Sequence, residues 1–81
     1  FSVYPNPAKN QISVDFSSTN NKSSNLIISD ILGKTVKEFS VNSSNGINRL
    51  EINLNNLNDG IYFVNFSNND IKSTKKLVIT K

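Results

Sequence analysis

An all-β sandwich is the fold class that this sequence predicts, and three observations predict it. Apolar residues alternate with polar ones at a period of two along most of the chain. No segment sustains the ~3.6-residue period of a helix. Polar turn clusters break the pattern about every eight to twelve residues, which suits roughly seven short antiparallel strands in an immunoglobulin-like β-sandwich. The 81 residues leave room for one domain, residues 1–81, with one core. Without cysteine, packing alone must hold that core together.

The elements follow in order. Phe1 and Val3 open a short first strand. Ile12, Val14 and Phe16 alternate with Ser13 and Asp15, the mark of a half-buried strand. Leu26-Ile27-Ile28 is the next apolar run. Between Thr35 and Val41 the alternation stumbles, because Val36 and Phe39 are three apart; this requires a bulge near Lys37-Glu38 or a strand partly buried on both faces. Leu50, Ile52 and Leu54 form one face of a fifth strand. Tyr62, Val64 and Phe66 line one face of a sixth whose other face carries Ile61 and Phe63, so that strand belongs mid-sheet. Leu77 and Ile79 share a face of the last strand. The in-phase residues Ile12, Val14, Phe16, Leu26, Ile28, Leu50, Ile52, Leu54, Tyr62, Val64, Phe66, Leu77 and Ile79 are the expected core. Residues 19–24 and 42–46 read as polar loops, and Asn68-Asn69-Asp70 as a hairpin connection. Asp30-Ile31-Leu32-Gly33-Lys34 is a tight reversal in which Gly33 supplies a positive φ.

Composition excludes much chemistry. There is no histidine and no cysteine, which removes the commonest general base, the thiol nucleophile and most zinc sites. The carboxylates of Asp15, Asp30, Glu38, Glu51, Asp59 and Asp70 fall on separate strands or turns, without calcium-loop spacing. The glycines are isolated, so no phosphate-cradling loop exists. The net charge is +3, yet Arg49 is the single arginine among the cations, and dispersed lysines do not make a nucleic-acid surface. Without tryptophan and with the aromatics in core registers, a sugar-stacking platform is not expected. The longest apolar run is far too short to span a bilayer as a helix. No signal peptide precedes Phe1, so the chain reads as part of something longer. The reading expects a monomer with no cofactor, metal, small-molecule substrate, nucleic-acid partner or catalytic residue.

Certain segments carry two readings each. Pro5-Asn6-Pro7 removes two amide donors, which suits an edge-strand kink, or else a recognition epitope. In Leu57-Asn58-Asp59-Gly60-Ile61-Tyr62 the tyrosine is placed to turn its hydroxyl back onto the corner before the sixth strand; Val64 stands where an antibody domain has a disulfide cysteine. The closing Lys75-Lys76-Leu77-Val78-Ile79-Thr80-Lys81 supplies either lysines that keep an edge soluble or a strand presented as an address.

Taken together, Val3-Tyr4-Pro5-Asn6-Pro7-Ala8, Asp30-Ile31-Leu32-Gly33-Lys34-x-Val36, Leu57-x-x-Gly60-Ile61-Tyr62 and Lys75-Lys76-Leu77-Val78-Ile79 resemble the type A C-terminal sorting domain of the type IX secretion system, across the whole chain. The resemblance implies an origin in the Bacteroidetes and a place as the last domain of a larger exported protein. Such a cargo crosses the periplasm, is recognised by the outer-membrane translocon, loses the domain to a surface sortase, and ends at the cell surface or in the medium. The resemblance assigns recognition to Pro5, Asn6, Pro7, Asp30, Gly33, Lys34, Gly60, Ile61, Tyr62, Lys75, Lys76, Leu77, Val78, Ile79 and Lys81. The rival classes are an adhesive or spacer module, which predicts more sequence after Lys81, and a carbohydrate-binding module.

Overall fold

Period-two alternation becomes seven strands in the computed structural model, which describes residues 1–18, 22–68 and 72–81. They are β1 (Ser2–Tyr4), β2 (Gln11–Ser18), β3 (Lys22–Asp30), β4 (Thr35–Ser43), β5 (Gly46–Asn53), β6 (Gly60–Ser67) and β7 (Lys72–Ile79), with no helix among the described residues. The strands form a three-stranded sheet of order β1-β2-β5 and a four-stranded sheet of order β4-β3-β6-β7, and every strand pair is antiparallel. In immunoglobulin constant domains the fourth strand lies beside the fifth. Here the tight turn at residues 31–34 folds β4 back as a hairpin onto β3, so the fourth strand joins the other sheet.

The two sheets bury the expected faces against each other. Ile12, Val14, Phe16, Leu26, Ile28, Ile52, Leu54, Tyr62, Val64, Phe66, Leu77 and Ile79 are all buried. Leu50 differs from expectation and is only half-buried, on β5, an edge strand that no other described strand flanks on its far side. Ala8 and Leu57 are buried core residues that the alternation did not mark, since both stand in connections rather than strands. As its two apolar faces require, β6 is interior, paired with β3 on one side and β7 on the other.

The irregularity in β4 is a bulge. Ile28 pairs with Lys37 and Ser29 with Thr35, leaving Val36 as the extra residue. It lies just before the Lys37-Glu38 position expected, and it returns Val36 and Phe39 to the same side, where both pack against the core. The polar loops are shorter than expected. Lys22, Ser23 and Ser24 belong to β3, while Asn42 and Ser43 end β4 and Gly46 starts β5. Pairing across the β3–β4 hairpin, rather than apolar content, carries those strands to their ends. Residues 19–21 and 69–71 of the expected connections lie outside the described residues. Ser24 is 2% exposed, and its hydroxyl finds no hydrogen-bond partner among the described residues.

Phe66 anchors one end of the core. Its ring lies 4.8 Å from that of Phe16 and 5.6 Å from that of Phe1. Replacing Phe66 with alanine is expected to cost about 3–5 kcal/mol. Urea denaturation of the chain measures this, and a cost below about 1 kcal/mol would show that Phe1 and Phe16 close the gap.

Candidate recognition site

The motif residues come together because of where the strands end. Asp30 at the end of β3 pairs with Tyr62 near the start of β6, and Gly60 pairs with Ile79 at the end of β7. The turn after β3, the corner before β6 and the end of the chain therefore share one end of the sandwich.

In the turn, Asp30 works through its amide, its carbonyl and one carboxylate oxygen. Its amide donates to the carbonyl of Lys34 at 2.9 Å, and its carbonyl accepts from the Gly33 amide at 3.0 Å. Its carboxylate Oδ1 accepts the amides of Leu32 and Lys34, each at 2.9 Å. Gly33 has φ +88°, with no atom near a Cβ placed there; the cost of a side chain is conformational, about 1–2 kcal/mol. The reversal expected of residues 30–34 thus has a full account. Its tip carries Ile31 and Leu32, 66% and 91% exposed.

At the corner before β6, the Tyr62 hydroxyl donates to the carbonyl of Asn58 at 2.8 Å, as its position implied. Lys81 is held by the same corner. Its amide donates to Asp59 Oδ1 at 3.2 Å, and its Nζ donates to the carbonyls of Leu54 at 3.0 Å and Asn55 at 3.3 Å. These bonds fasten the chain end to the connection between β5 and β6.

The Pro5-Asn6-Pro7 segment runs along the outer edge of β7. Asn6 Nδ2 donates to the carbonyl of Lys76 at 2.9 Å, and the Val78 amide donates to Asn6 Oδ1 at 3.0 Å. Two residues on, the Ala8 amide donates to the carbonyl of Val78, and the Thr80 amide to the carbonyl of Ala8, both at 2.8 Å. Ala8 thereby forms a parallel bridge with Ile79. A carboxamide offers one acceptor and donors in the geometry of a peptide group, so the Asn6 side chain replaces backbone where proline has no N–H to give. Sequence reasoning saw the kink and missed this clasp; an amide side chain between two prolines was the signal available.

Apart from Asp30, half-buried, and Gly33, exposed, in the turn above, the assigned residues divide by burial. Tyr62, Leu77 and Ile79 are interior and act through the fold, whereas Pro5, Asn6, Pro7, Lys34, Gly60, Ile61, Lys75, Lys76 and Lys81 are exposed and Val78 is half-buried. Lys75 stands apart from the shared end, with its Nζ 5.9 Å from the centre of the Phe1 ring. With Phe1, Ser2, Val3, Asn6 and Lys76 it lines a shallow cleft between the edges of β1 and β7.

The outer face of the other sheet carries a polar ladder that sequence reasoning did not find. Asp15 accepts from the Tyr4 hydroxyl at 2.8 Å and from Arg49 Nε at 2.9 Å, while Gln11 and Ser13 both reach Glu51. The register of β1, β2 and β5 sets these side chains side by side. The Arg49 guanidinium, and then the Tyr4 hydroxyl, hold the Asp15 carboxyl below its ordinary range. The hydrogen bond to Asp15 pushes the Tyr4 hydroxyl upward.

The model of the secretion system C-terminal sorting domain family matches residues 2–80. The chain belongs to that family. It is a C-terminal sorting signal of type IX secretion, and a protein bearing it is exported to the cell surface or the medium through interaction with the secretion machinery. No curated protein and no solved structure matches the chain.

Two measurements probe this geometry. Asn6→Ala removes both side-chain bonds to β7 and is expected to cost about 1–3 kcal/mol, with faster hydrogen exchange at the Val78 amide. Unchanged exchange there would mean that Ala8 alone closes the edge. Asp15, with its folded value lowered, stabilises the fold above the unfolded aspartate value of about 4, and that contribution fades as pH falls through the lowered value. Asp15→Asn is therefore expected to reduce stability at neutral pH and to flatten the acid limb of a melting-temperature profile. An acid limb identical to that of the wild type would assign it to other carboxylates.

Proposed function

We propose that the folded domain itself is the signal, that the outer-membrane translocon reads it along β7, and that a surface sortase removes it once the cargo has crossed from the periplasm. The observation that carries this reading is the state of the β7 edge. Among the described residues, the bonds of Asn6 and Ala8 to its backbone cover that edge from Lys76 to Thr80. Val78 turns both its backbone groups outward to these partners, so the alternation turns those of Thr74 and Lys72 outward too, where no strand among the described residues adjoins them. A half-open edge flanked by exposed lysines suits strand addition by a receptor, in which backbone bonds supply affinity and side chains supply selection. The reading needs no catalytic residue in this domain.

Charge reversal separates recognition from folding. Lys75→Glu with Lys76→Glu alters two exposed side chains and removes the contact of Lys75 with Phe1, so stability is expected to fall by no more than about 1 kcal/mol. The expected result in the native host is a folded domain whose cargo accumulates in the periplasm. Normal export at an unchanged melting temperature would leave the lysines as guards of the edge and move the address elsewhere. Sortase removal has its own readout, since the mass of the exported cargo should lack residues 1–81.

A further inference from the structure

Turns are ordinarily built from glycine, proline, asparagine, aspartate and serine, because their tips face water. The turn after β3 departs from this, placing Ile31 and Leu32 at its tip with 66% and 91% exposure. The reversal does not require them. Its geometry comes from Asp30, which binds the amides of Leu32 and Lys34, and from Gly33 at positive φ. The aliphatic pair is thus displayed by a rigid frame, and little conformational freedom remains to be lost on binding.

The surface behind the tip continues its character. Asp30 pairs with Tyr62, next to Ile61, and Ile61 pairs with Val78 on β7. Both Ile61 and Val78 are on the outer side of their sheet, opposite the buried Tyr62, Leu77 and Ile79. Ile61 is 38% exposed and Val78 is half-buried. Exposed lysines border this strip: Lys34 closes the turn and Lys76 lies two residues from Val78 on the same face. The carboxylates nearest it, Asp30 and Asp59, each turn Oδ1 to backbone amides. Phe1 packs toward the opposite end, against Phe66, in a domain 36 Å long.

We infer that Ile31 and Leu32, backed by Ile61 and Val78, form a preformed apolar plug that enters an apolar pocket on a protein of the secretion machinery, whose rim carries carboxylates facing Lys34 and Lys76. This rests on the sorting function and adds to the β7 edge a second contact, one that side chains rather than backbone make.

The test uses the full-length exported protein in its native host, with four forms compared: Leu32→Arg, Leu32→Met, Lys34→Glu and a deletion of residues 1–81. Leu32→Arg should lower the exported fraction by about tenfold or more, as expected for the centre of a binding site, with protease resistance of the domain in the purified chain unchanged. Leu32→Met, which keeps an apolar tip, should be exported as the wild type is. Lys34→Glu should lower export severalfold by opposing the acidic rim. Wild-type export of Leu32→Arg, in a host where the deletion blocks export, would overturn the plug and leave the sorting function intact. Export that survives the deletion would remove the sorting reading, and the plug with it. Self-association of the wild type that Leu32→Arg abolishes while export continues would make the occupant a second copy of this chain and overturn the proposal.

Discussion

The side chain of Asn6 and the backbone of Ala8 join the two sheets along one edge, and the shared end of the sandwich depends on that join. Their bonds to Lys76, Val78 and Thr80 span 2.8–3.0 Å. Each contributes only about 0.5–1.5 kcal/mol net, but an unpaired edge that close to the core would leave amides without partners. The segment follows directly on β1 and leads into β2, so it belongs by sequence to one sheet while it pairs with the edge of the other. The last strand is thereby held where Gly60 meets Ile79 and where Lys81 reaches the corner before β6.

Packing takes over where a disulfide would otherwise act. Val64, fully buried on β6, one of the two inner strands of its sheet, belongs to one core with Leu26, Ile28, Leu77 and the residues of the facing sheet. The Tyr62 hydroxyl brings a polar atom to the margin of this core and satisfies it on Asn58. Ser24 is the exception, a buried hydroxyl without a partner among the described residues, and such a group weakens a core by about 1–3 kcal/mol.

A sorting signal acts by being recognised, and its residues divide accordingly. Tyr62, Leu77 and Ile79 are inside and cannot touch a receptor while the domain is folded. Their contribution to recognition is to hold exposed neighbours such as Ile61, Lys76 and Val78 in fixed alternation on the opposite face. Asn6 and Lys81, for all their exposure, have their polar groups committed to the fold. The exposed side chains of the Asp30 turn are the contrary case, since the fold uses Asp30 and Gly33 and leaves Ile31, Leu32 and Lys34 outside it.

The sequence by itself determined the presence of seven strands, the buried face of every one but β4 and the central place of β6, because period-two burial is a local property written residue by residue. It determined the positive φ at Gly33 and the inward turn of the Tyr62 hydroxyl for the same reason: each depends on neighbours within a few positions. The family could be read too, as four short motifs in a fixed order. Only the tertiary structure decided that β4 joins β3 rather than β5, that Val36 is the bulged residue, and that Asn6 is a substitute for backbone on a strand seventy residues away. It alone set Asp15 between Tyr4 and Arg49, and it alone left Leu32 in water at the end of the sandwich where β6 begins. These facts are pairings between distant segments. A chain records its own alternation, but which edges meet is settled by the packing of one sheet on the other.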